Sequence, residues 1–186
     1  FHKYIAFYAY INCCKTNSSL YGAIKSEFER GLNMNKEWSE LNKTMQAQIK
    51  KKDTYKMGID TLISLRDQLM QTLVSFKDEL RREAFNSIPF INAEGYHSKT
   101  IAYSIWHIFR IEDIVVHTVI NEDEQVFFAG NYQERINSPI ITTGNELMKQ
   151  QIADFSKQLN LEELYSYIFE VRESTEKMFE RLSYDE

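Results

Sequence analysis

The sequence predicts an all-α protein, a bundle of long helices, and three observations lead to that prediction. Only six glycines and two prolines occur in 186 residues, so turns are few and helices can be long. Hydrophobic residues make up 43% of the chain and aromatic residues 13%, which is enough for a packed core. Apolar residues also recur at spacings of three and four over several segments, as they do on the buried face of a helix.

The most apolar stretch, residues 100–120, predicts the central helix of the bundle. It is too long for an ordinary strand and contains neither glycine nor proline. At about 100° per residue, one line of apolar residues runs down this helix, and we expect the line to be buried. Its members are Ile101, Ile105, Ile108, Val115 and Val119. Arg110, Asp113 and His117 gather on the opposite side, which we interpret as the solvent-exposed edge.

Two helices and a loop are predicted before the central helix. Residues 34–49 form a short helix, and residues 55–85 form a long helix with a sustained apolar stripe. The stripe consists of Leu62, Leu65, Leu69, Leu73, Phe76 and Leu80. Residues 86–99 contain Pro89 and Gly95, which predict a loop.

The remaining part of the chain predicts a crossover and two more helices. Residues 126–141 are expected to form an irregular crossover, and residues 142–158 a short helix. Asn160 is expected to cap the last helix, with Glu163 reaching back to complete the cap. The last helix, residues 161–182, carries a regular apolar stripe typical of a bundle.

Charge and cysteine content exclude several classes of function. The net charge of −5 provides no basic surface for nucleic acid or an anionic membrane, so neither is an expected partner. Cys13 and Cys14 are adjacent, which suits neither a disulfide framework nor a Cys-x-x-Cys metal site. We therefore expect a reduced, cytoplasmic protein.

Two polar residues interrupt the apolar side of the central helix and are the candidate functional residues. Glu112 is in line with the apolar residues, where a carboxylate needs a partner because an unpaired buried charge is costly. Either Glu112 pairs with an Arg or Lys of another helix, or it belongs to a functional site. His107 is either a hydrogen-bonded core histidine or a ligand. Asp113 and His117 are four residues apart, and we interpret them as a plain surface pair.

One further spacing resembles a metal motif. Glu94 and His97 have the Glu-x-x-His spacing of di-iron proteins. The motif belongs on paired helices, whereas here it occurs once, in the predicted loop. We do not interpret it as a metal site.

Three stretches of the sequence resemble the DinB-like family. They are Leu65-Arg66-Asp67-Gln68-Leu69, then Thr100-Ile101-Ala102-Tyr103-Ser104-Ile105-Trp106-His107 with Glu112 following, and Thr143-Gly144-Asn145-Glu146-Leu147 followed by the helix 161–182. The resemblance implies a four-helix bundle that is often dimeric. Many members bind a divalent metal through three histidines and are thiol-dependent transferases or hydrolases, while others have no known activity. His107 matches the first of these ligands, and Glu112 matches the acidic residue that often follows it.

The sequence departs from the family at its end. The other two family ligands lie as His-x-x-x-His on a helix that follows the one ending here near Leu182, but this sequence stops at Glu186. We therefore expect the last family helix to be absent from this chain, and with it a complete set of histidine ligands. No cofactor is expected in this chain, whereas a full-length protein would take a divalent metal, zinc or nickel. The groove left open is expected to drive formation of a homodimer, or else to bind a small molecule.

Two functional hypotheses follow from the resemblance. In the first, the protein is a DinB-like bundle of unproven activity whose metal site is degenerate or incomplete. In the second, it is a metal-dependent thiol transferase or hydrolase that uses His107 as a ligand and lowers the pKa of a metal-bound water or thiol.

The first part of the chain is expected to be dispensable. Met34-Asn35-Lys36 resembles a natural start of translation, so residues 1–33 are interpreted as an extension and residues 34–186 as the helical domain. The competing interpretation is a real additional helix that docks on the bundle. A chain beginning at Met34 should keep its helical circular dichroism signal and its thermal midpoint. A large loss of stability would instead identify residues 1–33 as a packed helix.

Overall fold

Every element of regular structure is helical within residues 36–88 and 99–185, which are the residues that the computed structural model describes. The all-α prediction is confirmed for these residues. They divide into two compact units, one made of residues 36–79 with 181–185 and the other of residues 80–88 with 99–180. Residues 1–33, the Glu94 and His97 pair and most of the predicted loop lie outside the described residues.

The first unit contains helix α1, residues 36–48, a short 3₁₀ turn at Lys52–Thr54, and helix α2, Tyr55–Glu79. The two helices approach closely at Gly58, where a Cβ atom would lie 2.6 Å from the Ile49 side chain. The end of the chain belongs to this unit, since the Tyr184 hydroxyl donates to the Lys50 carbonyl at 3.2 Å. Three members of the predicted stripe of α2, Leu65, Leu73 and Phe76, are buried.

The predicted single helix over residues 55–85 is wrong at its end. Helix α2 stops at Glu79, and a separate helix α3, Arg82–Asn86, begins after Arg81, whose backbone is extended. Arg82 explains where α3 lies, because its guanidinium donates to the carbonyl oxygens of Lys157 at 3.2 Å and Leu159 at 2.5 Å. Carbonyls at the end of a helix have no partner within that helix, so Arg82 supplies one.

The centre of the second unit is helix α4, Ile101–Asp113, which continues without a break as a π-helical segment, Ile114–Asn121. Thr100 caps its first turn, since the hydroxyl oxygen accepts from the Tyr103 amide at 3.0 Å. The segment ends at Glu122, which adopts a left-handed backbone conformation with φ of 54°. The predicted central helix over residues 100–120 is therefore confirmed.

The two sides of this central helix are not those expected from the sequence. Ile101 and Ile105 are buried as predicted, but Val115 and Val119 are 42% and 66% exposed. The side expected to be solvent-exposed is buried instead, and it consists of Arg110, Asp113 and His117. Two causes explain the error. The charged residues are paired with one another and with neighbours. The i→i+5 pattern of the π-helix also turns less per residue, so Val115 and Val119 move outward.

The crossover is more regular than expected. It contains two short helices, α5, Val126–Ala129, and α6, Tyr132–Ile136. The helix expected to begin at Thr142 begins only at Gln150, as α7, Gln150–Gln158. Residues 141–144 stay outside it because their carbonyl groups bond to side chains of α4 instead of to helical amides.

The last helix, α8, Leu161–Arg181, follows the prediction closely. Asn160 caps it by accepting from the Glu162 and Glu163 amides at 3.1 and 3.4 Å. The Glu163 carboxylate accepts instead from Arg135 at 2.8 Å, outside the cap. The apolar stripe is buried at Leu164, Ile168, Val171, Thr175 and Met178. Within the part of the chain that the structure describes, no helix is both long and apolar enough to cross a membrane.

Candidate functional site

His107, the residue that the family resemblance identifies as a ligand, is buried and bonded to backbone. Its Nδ1 atom lies 2.8 Å from the Thr143 carbonyl oxygen, and its ring stacks on Tyr103 with centroids 5.5 Å apart. A carbonyl oxygen can only accept a hydrogen bond, so Nδ1 carries a proton and donates it to Thr143.

The bond of His107 belongs to a row that we call the carbonyl ladder. Helix α4 supplies one side-chain donor to each of the consecutive backbone carbonyls of residues 141–144. From Ile141 to Gly144, the donors are Arg110 at 2.7 Å, Trp106 at 3.2 Å, His107 at 2.8 Å and Tyr103 at 3.0 Å. Burial, and then the charge of Glu146, raise the pKa of Tyr103 to about 12, so its hydroxyl keeps the proton that it donates.

The ladder shows why residues 141–144 do not form the expected helical turn. Gly144 has φ of 79°, and a Cβ atom there would lie 3.0 Å from the Tyr103 ring. Glycine adopts this left-handed conformation without steric cost, and a Cβ atom at this position would make a tight contact with the ring. The backbone thus turns at Gly144 to present its carbonyl groups to α4.

Arg110 is fully buried, with 1% of its surface exposed, and each of its donor nitrogens is bonded. Nε and Nη2 donate to the Ile141 carbonyl at 3.3 and 2.7 Å, and Nη2 also donates to Gln125 at 3.0 Å. Nη1 donates to Asp113 at 3.0 Å and to Tyr167 at 3.2 Å. The guanidinium carbon also lies 4.2 Å from the centre of the Phe127 ring, a cation–π distance.

Asp113 neutralises this charge and also holds the start of the crossover. Its carboxylate accepts from the backbone amides of Val126 and Phe127, at 2.9 and 3.0 Å, which are the first amides of α5. It accepts from the Tyr167 hydroxyl at 2.8 Å as well. Burial, and then the nearby charge of Asp113, raise the pKa of Tyr167 well above its usual range, so the phenol remains a donor.

Glu112, the second candidate from the sequence, contacts helix α8. Its Oε1 atom accepts from the Thr175 hydroxyl at 2.6 Å, and Thr175 also donates to the Val171 carbonyl. The carboxylate is half-buried. The bond links the central helix to α8.

His117 lies in a chain of hydrogen bonds that the sequence analysis did not predict. Its Nδ1 atom is 2.5 Å from Asp123 Oδ1, and its Nε2 atom is 2.9 Å from the Ser174 hydroxyl. The expected surface pair of Asp113 and His117 is wrong, because both residues are buried, at 0% and 6% exposed. Their nearest charged atoms are 3.9 Å apart.

Local backbone geometry brings Asp123 to His117. After the π-helical segment, Glu122 takes its left-handed conformation, and the Asp123 amide donates back to the His117 carbonyl at 2.9 Å. Ser174 comes from the middle of α8, 57 residues away in sequence. The closeness of His117 and Asp123 in sequence was a usable signal for the first contact, whereas no local pattern indicates the contact with Ser174.

One surface cleft of about 330 Å³ lies on the crossover, away from both histidines. It is lined by Asn131, Gln133, Glu134, Asn137, Ser138, Pro139 and Gln158. Several of these polar groups bond within the chain, as Asn137 does by donating to the Gln158 carbonyl at 3.0 Å. The cleft contains no nucleophile paired with a base.

No family model, curated protein or solved structure matches this chain. Among the described residues, no group of three or more His, Cys, Asp or Glu side chains is placed to hold a metal ion. His2 and His97 lie outside those residues. Membership of the DinB-like family and the metal role of His107 therefore stay predictions.

Substitution of Asp113 tests whether the Arg110 charge depends on it. Asp113→Asn should lower the free energy of unfolding by about 3–5 kcal/mol, because it leaves a buried guanidinium without its counter-charge. Urea denaturation followed by circular dichroism measures the loss. The control is Glu173→Gln, which removes an exposed partner of Lys177 and should leave the free energy of unfolding nearly unchanged. Equal effects of the two substitutions would contradict the proposed role of Asp113.

Proposed function

We propose that this chain is a DinB-like helical bundle in which His107 holds backbone instead of a catalytic metal, and that the protein works by binding a second copy of itself. The observation that carries the first part is the carbonyl ladder. His107 is one of four successive donors that attach residues 141–144 to the central helix.

The other members of the ladder support a structural role for His107. Arg110 and Trp106 are pure hydrogen-bond donors, and both bond the same short segment. A buried carbonyl without a donor costs about 1–3 kcal/mol. His107 therefore stabilises the fold at this position whether or not a metal ion is ever bound.

A second candidate function is a metal-dependent thiol transferase or hydrolase with His107 as a ligand. The observation that favours it is the same Nδ1 bond, since histidines that bind a metal usually donate their other ring N–H to a carbonyl or carboxylate. Zinc or nickel at Nε2 would lower the pKa of a bound water or thiol. Of the described histidines, His107 alone occupies a position that the family uses for a ligand.

Metal analysis of two matched variants separates the two candidates. His107→Ala and Tyr103→Phe each remove one donor of the ladder, but only the first removes a nitrogen ligand. After dialysis against zinc or nickel, we expect no stoichiometric metal in the unaltered chain, as measured by inductively coupled plasma mass spectrometry. Each variant should lose about 1–3 kcal/mol of stability. Stoichiometric metal that persists in Tyr103→Phe and disappears in His107→Ala would establish the second candidate instead.

The binding surface that we propose is the apolar patch, which we define as Ile111, Val115, Val119 and Ile120. These side chains of the central helix are 36%, 42%, 66% and 42% exposed. In a segment with i→i+5 hydrogen bonds, residues four and five apart lie on the same side, so Val115, Val119 and Ile120 are neighbours. An exposed patch of large apolar side chains is typical of an interaction site.

A second copy of the chain is the partner that we propose for this patch. The DinB-like resemblance implies a bundle that is often dimeric. A helix face that packs on its own symmetry mate buries the same residues on both sides of a two-fold axis. For the four members of the patch, such an interface covers apolar surface without requiring a charged partner.

Sedimentation at micromolar concentration tests the homodimer. Val119→Lys should weaken association about tenfold or more, because the lysine charge has to be buried or the interface opened. The control is Met148→Lys, which alters a side chain that is 69% exposed outside the patch and should leave the dissociation constant unchanged. A clean monomer in the unaltered chain would contradict the proposal.

A further inference from the structure

A second centre lies at the other end of the central helical segment, where Asp123, His117 and Ser174 are bonded in series. Asp123 accepts from Nδ1 of His117 at 2.5 Å, and Nε2 of His117 lies 2.9 Å from the Ser174 hydroxyl. A carboxylate can only accept, so the ring proton is on Nδ1 and Nε2 accepts from the serine. The carboxylate of Asp123, the imidazole of His117 and the hydroxyl of Ser174 are thus bonded in the order that activates a serine nucleophile.

We propose that Ser174, His117 and Asp123 form a nucleophilic centre that hydrolyses small activated esters through an acyl-serine intermediate. No metal is needed for this chemistry, and the proposal does not depend on dimer formation or on the role of His107. Ser174 is the nucleophile, His117 the general base and Asp123 the residue that orients the imidazole.

Unusual backbone geometry converges on this centre. His117 lies in the π-helical segment Ile114–Asn121, and π-helical turns occur frequently at functional sites. The left-handed Glu122, with φ of 54°, then directs Asp123 back onto the ring. A residue other than glycine is strained in this conformation, and such strain is concentrated at functional positions.

The residues of this centre differ in burial: the base is shielded from solvent, whereas the nucleophile is partly exposed. The side chain of His117 is 8% exposed, whereas that of Asp123 is 53% exposed. Ser174 is partly exposed. A small molecule therefore reaches the hydroxyl side of the chain, while the imidazole remains in a fixed orientation between its two partners.

Two carboxylates lie close to the His117 ring. Asp123 is in direct contact, and Asp113 Oδ1 lies 3.9 Å from Nε2. A third carboxylate, Glu112, accepts from Thr175, which follows Ser174 in the sequence. Arg110, the nearby cation, is bonded to Asp113. The contact with Asp123 thus holds the imidazole in the orientation in which Nε2 takes the serine proton.

The proposed reaction balances with water as the only co-reactant. The Ser174 oxygen bonds to the ester carbonyl carbon as its proton passes to His117 Nε2. The bond from that carbon to the leaving oxygen then breaks, and His117 gives the proton to the departing alcohol. Water attacks the acyl-serine with His117 again as base. The carboxylic acid leaves, and the serine recovers its proton.

The position of Ser174 limits the substrate class. In the interior of a helix, backbone amides are bonded to carbonyls of the preceding turn, so α8 offers no free amide to an oxyanion. Loss of one such donor lowers a rate about 10²–10³-fold. The centre therefore suits esters whose leaving alcohol is acidic, such as nitrophenyl esters, and not peptides.

Labelling of the full chain with a fluorophosphonate tests the proposal, because the reagent bonds to an activated serine and releases fluoride. We expect one adduct per chain, located at Ser174 by peptide mass mapping and absent in Ser174→Ala. Nitrophenyl acetate should give a burst of nitrophenol that depends on the same residue. The matched control is Ser166→Ala. Ser166 is on the same helix, but its hydroxyl donates to the Glu162 carbonyl at 3.1 Å instead of to a histidine. Labelling should be unchanged in that variant.

Asp123→Asn gives a second test that does not remove the nucleophile. Asp123 is half exposed, so the variant should fold with an unchanged thermal midpoint. The labelling rate at Ser174 should fall about 100-fold or more, because without its orienting carboxylate His117 no longer keeps the tautomer in which Nε2 acts as the general base. The absence of an adduct at Ser174 in the folded chain would overturn the proposal, and so would an equal labelling rate in Asp123→Asn. Modification of Ser166 at the same rate as Ser174 would also overturn it, since both would then be unactivated hydroxyls.

Discussion

The buried guanidinium of Arg110 requires a counter-charge and hydrogen-bond acceptors from the residues around it. Transfer of a charged group from water into a protein interior costs several kcal/mol unless a counter-charge and hydrogen-bond acceptors replace the water. Here the replacements come from four parts of the unit: Asp113 on the same helix, Gln125 before the crossover, Ile141 at its end and Tyr167 on α8. Each of these parts must therefore be in place for the others to be stable. The crossover is fixed at both ends by a single side chain and its partner carboxylate.

The same arrangement accounts for the carbonyl ladder and for the position of His107. Once Ile141 is attached to Arg110, the next three residues run along α4, where Trp106, His107 and Tyr103 face them. Aromatic packing covers these bonds, since Trp106 contacts Phe127, Phe155 and Tyr167. Hydrogen bonds shielded from water in this way are electrostatically stronger than exposed ones. Polar residues thus belong to the packing face of the central helix, while Val115, Val119 and Ile120 are exposed.

The sequence predicts the helices much better than it predicts their faces. Helix α8 was predicted almost to the residue, because its stripe from Leu164 to Met178 and the Asn160 cap are both local signals. The buried side of the central helix was not predicted, since Arg110 and Asp113 carry charges that a hydrophobic pattern assigns to solvent. Whether these charged residues are buried depends on their partners, and two of the partners of Arg110, Tyr167 and Ile141, are far away in sequence. The contact of Ser174 with His117 depends on tertiary structure in the same way, and the π-helical segment changes the helical phase on which a face prediction relies.

The two buried histidines of the central segment differ in what their ring nitrogens contact, and this difference separates their chemical roles. The Nδ1 atom of His107 donates to the Thr143 carbonyl, and this bond attaches the ring to backbone. His117 has a carboxylate at Nδ1, a hydroxyl at Nε2 and a second carboxylate 3.9 Å away. A ring in the second environment can take a proton from the hydroxyl because negative charge is already placed beside it. The proposed proton transfer therefore takes place at His117, while the bond made by His107 attaches residues 141–144 to the central helix.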